Sequence, residues 1–407
     1  MDSINRDSPR TFPIPCCLAM IVASLAASCV STGGVAPLDP ALSPQAAIEA
    51  YVADGTLPGV AVSVVRDGAV AFRGVDGVRK RGDPAPVTVD DAFHIGSNTK
   101  AMTALLCAIA VDRGLLSWSS TISGVMGAGY PMRDEYRFVT LEQLLSHTSG
   151  MPANLPDIPW MSYFGTDAPV ADERDRMARA ALALKPTSPA GTAFEYSNIG
   201  YVVAARMLEE TSGKPWEELM ATELFGPLDM TGAGFGPPAL AGYGAGATPT
   251  APWGHNPSPV DPASTYADNP PPAGPAGTVH AALSDLEAWA GLYLNGGLAL
   301  DGSRLVSAEA LAETTKPRLR DYGFGWIIGT DEWERPFIAH DGSNTTFYCI
   351  VLIYQDLHGA VIAMTNRGDG PTGQALASLV NWLVMKYLPP DTQAGSIPDG
   401  AAPGGTP

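Results

Sequence analysis

The chain has 407 residues, 45% of them apolar and only 16% charged, which suits a globular protein with a sizeable core in one large domain or two moderate ones. Its 24 Lys and Arg stand against 42 Asp and Glu, a formal charge of −18 that argues against nucleic acid or an anionic membrane surface as partner. The 37 prolines and 44 glycines call for long or numerous loops.

Residues 1–28 read as an export signal. Arg6 and Arg10 precede an apolar stretch, Ile14 to Ala27, that is short for a membrane span. Leu25-Ala26-Ala27-Ser28-Cys29 then resembles a bacterial lipoprotein processing site, with Cys29 as the lipidated residue and a possible membrane anchor. The usual leucine three before the cysteine is Ala26 here, so ordinary signal cleavage nearby is the other reading. Either places the protein outside the cytoplasm, in a bacterial periplasm or cell envelope. Beyond the signal only Cys107 and Cys349 remain, both in apolar runs; they read as small buried core residues, with one disulfide as the alternative. No His–Cys cluster has metal-ligand spacing.

A Pro-rich linker over 29–43 leads to a helix at Gln45–Asp54, which Ser43 is placed to cap. Gly59–Arg66 and Ala69–Gly74, joined by Asp67-Gly68, form a hairpin signal. A nearly all-apolar helix begins at Ser97 and runs to about Arg113, and a short one covers Leu141–Ser146. Tyr201–Thr211, Pro215–Leu224 and Leu283–Leu294 are further helices; Phe235–Ala276 reads mostly as loop. Strands return at Gly325–Ile328, Asn344–Tyr354 and Ala360–Thr365, followed by a helix over Gln374–Leu388 and a Pro/Gly/Asp-rich tail, 389–407, with the composition of disorder. The expected fold is α+β. An antiparallel sheet is built from both chain ends and flanked by helices, with a large, mainly helical insertion over about 93–317 in a single 44–388 domain. A groove between sheet and insertion is the expected site.

Three motifs carry chemistry. In Ser97-Asn98-Thr99-Lys100, helical spacing lets the hydroxyl and amine meet over one turn. The helix N-terminus favours negative charge, and it disfavours a lysine cation, as does burial, so Lys100 becomes a usable base for Ser97. Alone, the motif is equally well a capped helix with a first-turn lysine. Tyr196-Ser197-Asn198 adds a phenol to pass the proton on and an amide donor for the lysine–serine network or a substrate carbonyl. His340-Asp341-Gly342-Ser343 adds a glycine that permits close backbone approach and a Ser343 N–H that can pair with that of Ser97 as an oxyanion hole. His94, His147 and His280 need no catalytic role, and no Gly-x-Ser-x-Gly elbow is present.

In that order the three motifs resemble those of the β-lactamase-like serine hydrolases, which include class C β-lactamases, D-alanyl-D-alanine peptidases and related esterases. Leu144–Gly150, Phe194–Tyr201, Phe225–Met230 and Pro275–Gly277 fit as well, and the resemblance spans about residues 44 to 388. It implies Ser97 as nucleophile, Lys100 and Tyr196 sharing the base role, substrate contacts from Asn198, His340, Gly342 and Ser343, and no metal or organic cofactor. The third motif departs from Lys-Thr-Gly: Asp341 adds a negative charge where a substrate carboxylate would dock. The expectation is therefore an exported serine hydrolase of small esters, amides or peptides. The alternatives are a true β-lactamase or D-alanyl peptidase, and a non-catalytic envelope scaffold.

Overall fold

The computed structural model describes residues 38–244 and 248–390. The export segment, Cys29 and nearly all of the tail lie outside the described residues.

The framework is a six-stranded antiparallel sheet in the order β2-β1-β9-β8-β7-β6. Its strands are β1 (Gly59–Arg66), β2 (Ala69–Gly77), β6 (Ile327–Thr330), β7 (Pro336–Ser343), β8 (Tyr348–Tyr354) and β9 (Gly359–Thr365). The first hairpin joins the last strand of the domain directly, Val62 of β1 facing Ala363 of β9. The β1–β2 turn places Asp67 and Gly68 at φ of 52° and 74°, the mirror-image turn that matches strand twist. Three short strands, β3 (Phe93–His94), β4 (Gly234–Phe235) and β5 (Val279–Ala281), make a second sheet ordered β3-β5-β4.

Both faces of the large sheet are covered, which explains why its central strands are continuously apolar rather than alternating. Side chains still divide by period two. Val60, Val62, Val64, Ile350, Leu352, Val361 and Ala363 pack on the helices Pro44–Ala53 and Thr372–Tyr387. Ala61, Val65, Cys349, Val351, Ile353, Ile362 and Met364 join the larger core on the other face. That core includes the helices Thr99–Asp112 and Leu283–Leu294, the former buried without interruption from Thr99 to Ala110. Each fully buried aliphatic side chain here is worth about 1.5–3 kcal/mol. Cys107 and Cys349 are free, buried thiols, as the core reading expected.

The structure is α+β, as expected, and it corrects the elements around the third motif. Asn344 to Phe347 form a turn instead of opening a strand, and His340 to Ser343 lie inside β7. Three polar residues and a glycine hid this strand from an apolar-pattern reading. The helix Val170–Ala183 was also unread: only a narrow stripe is apolar, and its buried Arg174 is held by Glu209 and Glu217.

Candidate active site

The site forms where the end of β7, beyond its pairing with β6, meets the helical body. Ser97 sits in a 3-10 turn, Gly96–Asn98, and the α-helix begins at Thr99 rather than at Ser97. The turn is tightly held. Asn98 Nδ2 donates to Ile95 O (3.0 Å) and to Cys349 O (3.3 Å), tying it to β8. Thr99 Oγ1 donates to Gly96 O at 2.7 Å. Gly96 has φ of 54°, and a Cβ there would fall 2.3 Å from Ser343 N. A Cβ on Gly342 would fall 2.1 Å from Ile95 O and 2.5 Å from Ser97 N. The two glycines therefore let the nucleophile turn and β7 lie backbone against backbone, which brings the Ser97 and Ser343 amides onto adjoining segments.

Lys100 Nζ lies 3.0 Å from Ser97 Oγ and 2.6 Å from Ala276 O, with the residue fully buried. Burial holds its pKa well below the usual lysine range; nearby Asp341 opposes the shift. A neutral amine has two N–H groups and one lone pair. With one N–H on Ala276 O, the lone pair can meet the Ser97 hydroxyl proton, so the geometry suits proton abstraction. The Pro275–Gly277 stretch supplies this acceptor, a role that its sequence does not announce.

Tyr196 completes the cluster. Lys100 Nζ is 4.7 Å from its ring centroid, and the His147 ring is 4.3 Å away on another side. His147 takes the left-handed conformation (φ 59°), and its Nδ1 accepts the Ser197 N–H at 3.0 Å while its carbonyl accepts from Glu195 N. It thereby shapes the corner that presents Tyr196. Ser197 caps the helix Asn198–Ser212: its Oγ accepts the Gly200 N–H and donates to Pro152 O.

Two expected substrate-binding residues have partners within the protein. Asn198 Nδ2 donates to Asn154 Oδ1 at 2.8 Å, which uses one of its two N–H groups. His340 is 1% exposed; its Nδ1 faces the Asp341 carbonyl and its Nε2 lies 3.1 Å from the Tyr322 hydroxyl. Burial, reinforced by Lys100, pushes its pKa down to about 3, so it stays neutral. A buried neutral ring with both nitrogens occupied offers a substrate neither charge nor a free donor. Tyr322, absent from the sequence reading, is the partner of the His340 Nε2, and its ring lies 4.9 Å from that of His147.

Asp341 is not the obstacle its sequence position suggested. It alternates with His340 and Gly342, so it faces the terminal-helix side of β7, where it pairs across to Ile350 and accepts from the Tyr348 hydroxyl. Burial raises its pKa to about 6. Ser343 remains partly exposed, and its Oγ accepts from Thr345 N. Among the described residues no group of three or more His, Cys, Asp or Glu is arranged to hold a metal ion.

A serine beside a buried lysine and a tyrosine, seated between an antiparallel sheet and a helical body, defines a serine hydrolase with a non-histidine base. The Beta-lactamase family matches residues 45–384, and the chain belongs to that family of serine hydrolases. It is 27% identical over 338 residues to Penicillin-binding protein 4 of Amycolatopsis lactamdurans, covering 80% of this chain and 84% of that one. Two solved structures share the fold. The octameric penicillin-binding protein homologue from Pyrococcus abyssi has a TM-score of 0.66 and 22% identity, over 85% of this chain and 78% of that one. The D-stereospecific amidohydrolase from Streptomyces has a TM-score of 0.63 and 22% identity, over 83% and 97%.

Proposed function

We propose that this protein is an exported hydrolase that forms an acyl-enzyme on Ser97, with Lys100 as the first proton acceptor and small neutral esters or amides as substrates. The contact between Lys100 Nζ and Ser97 Oγ, in a site where burial disfavours the lysine cation, carries the reading. In the forward step the Ser97 proton passes to Lys100, Oγ attacks the carbonyl, and the proton reaches the leaving group through Tyr196. Water then repeats the sequence on the acyl-enzyme. The Ser97 and Ser343 amides are the donors for the carbonyl oxygen.

The preference for neutral substrates rests on His340: the first position of the third motif is neutral and covered, so it supplies no cation to a substrate carboxylate. Amides, including those of D-amino acids, stand beside esters because the Streptomyces fold relative is a D-stereospecific amidohydrolase. Export rests on the leader residues alone.

A panel of short p-nitrophenyl esters, D- and L-amino acid p-nitroanilides and benzylpenicillin, each run with wild type and Ser97→Ala, tests the reading. It predicts Ser97-dependent turnover of an ester or anilide with little penicillin hydrolysis. Efficient Ser97-dependent opening of penicillin would replace it with a β-lactamase. Identical rates for wild type and Ser97→Ala on every compound would favour a non-catalytic scaffold.

A further inference from the structure

A second set of buried polar groups lies behind the Ser97 turn. His94, at the end of β3, is fully buried; its Nδ1 accepts the Gly96 N–H at 3.1 Å, and its Nε2 lies 2.9 Å from Asp268 Oδ1. With Nδ1 an acceptor, a neutral ring carries its proton on Nε2, which lies against the carboxylate oxygen without making an aligned hydrogen bond to it. The Asp268 carboxylate is 8% exposed. Its Oδ1 also accepts from Asn269 N at 2.7 Å and from Asn344 Nδ2 at 3.4 Å, while the buried Oδ2 has no partner.

Each of these contacts leads to a different wall of the site. Through His94 the carboxylate reaches Gly96, the residue packed on Ser343 N. Through Asn344 it reaches the turn after Ser343: Asn344 Oδ1 accepts the N–H groups of Thr346 and Phe347. Through Asn269, whose Nδ2 donates to Gly277 O at 2.9 Å, it reaches the segment whose Ala276 carbonyl holds Lys100. Nucleophile, oxyanion strand and base are thus tied to one buried carboxylate. Burying such a group is costly unless its partners are well placed, and here the partners are the supports of the site.

We infer that Asp268 and His94 are positioning residues for acyl transfer, holding the Gly96-Ser97 turn against Ser343 so that the two amides and the Lys100 amine keep their geometry. His94 is given no base role: its Nδ1 accepts the Gly96 N–H and its Nε2 is buried against Asp268. The inference rests on Ser97 being the nucleophile.

Asp268→Asn keeps the shape and removes the charge. His94→Phe removes both contacts, whereas His94→Asn retains an acceptor two residues before Gly96, as in an Asx-turn. On the best ester of the panel, Asp268→Asn and His94→Phe should lower kcat roughly 10- to 100-fold with KM within about threefold, the cost of a small misplacement. His94→Asn should recover part of the His94→Phe loss, and the Asp268→Asn/His94→Phe double variant should be little worse than either single. Thermal melts identify variants that fail to fold; if Asp268→Asn is one, the His94 pair decides the question. Unchanged kcat in folded variants, a rise in KM alone, or no difference between His94→Asn and His94→Phe would overturn the inference. If turnover proves independent of Ser97, the nucleophile reading fails instead, so the two failures are distinguishable.

Discussion

At the scale of single residues, the site works by withholding water from one amine. Lys100 is fully buried among aromatic rings and a carbonyl, and burial, not a neighbouring cation, is the largest cause of its lowered pKa. Because the folded pKa lies below the unfolded one, the unfolded chain binds the extra proton between the two, and folding stability rises with pH across that window. Lys100→Met should therefore remove activity, by roughly 10²-fold or more, and raise the melting temperature at neutral pH. The stabilisation should shrink as pH climbs toward the ordinary lysine range. Ester turnover and melts at pH 7 and 10 check both halves; a variant less stable than wild type at pH 7 would mean that the lysine is held as a well-paired cation.

At the scale of elements, the nucleophile turn and β7 touch through two glycines, and the tolerance is small. Gly342→Ala would set a methyl 2.1 Å from Ile95 O and 2.5 Å from Ser97 N, closer than atoms can approach. Either β7 or the Ser97 turn must shift, and ester kcat should fall by about 10²-fold or more through misplaced donors. Unaltered turnover in a folded Gly342→Ala would contradict the backbone contact proposed for the oxyanion site. The sequence made part of this legible. The Asp67-Gly68 hairpin and the helix over Leu283–Leu294 follow from local turn chemistry and apolar spacing, and their limits matched closely. The strand β7 did not, because its end is His-Asp-Gly-Ser and its side chains meet tertiary partners, Tyr322 and Tyr348, that no local pattern reveals. Ser97 and Lys100 were readable because one helical turn sets their distance. The engagement of Asn198 with Asn154, and the Asp268 hub, join residues far apart in sequence and needed the fold.

At the scale of the whole molecule, the arrangement is a sheet covered on both faces, with four histidines of the domain largely withdrawn from water. His147, His255, His280 and His340 all have pKa values lowered chiefly by burial, to about 4 for His255 and about 3 for His340. Below pH 6.5 the unfolded chain takes up protons at these positions while the folded one does not, so stability falls with acidification through that range. Asp341, raised to about 6, acts in the opposite sense between pH 3.8 and 6 because the folded form then binds the extra proton. Asp341→Asn should thus be more stable than wild type at pH 7, and its loss of stability between pH 6 and 4 should be steeper. Urea unfolding at several pH values measures this; parallel pH curves for the two proteins would show that burial does not raise the Asp341 pKa.

The central claim is that Ser97 becomes acylated. Intact-mass spectrometry of the protein, quenched in acid seconds after mixing with a p-nitrophenyl ester and followed by peptide mapping, tests it most directly. The account predicts a mass increase equal to the acyl group, located on the peptide that contains Ser97 and absent from Ser97→Ala. An acyl group on any other residue, or ester hydrolysis that survives Ser97→Ala undiminished, would contradict it.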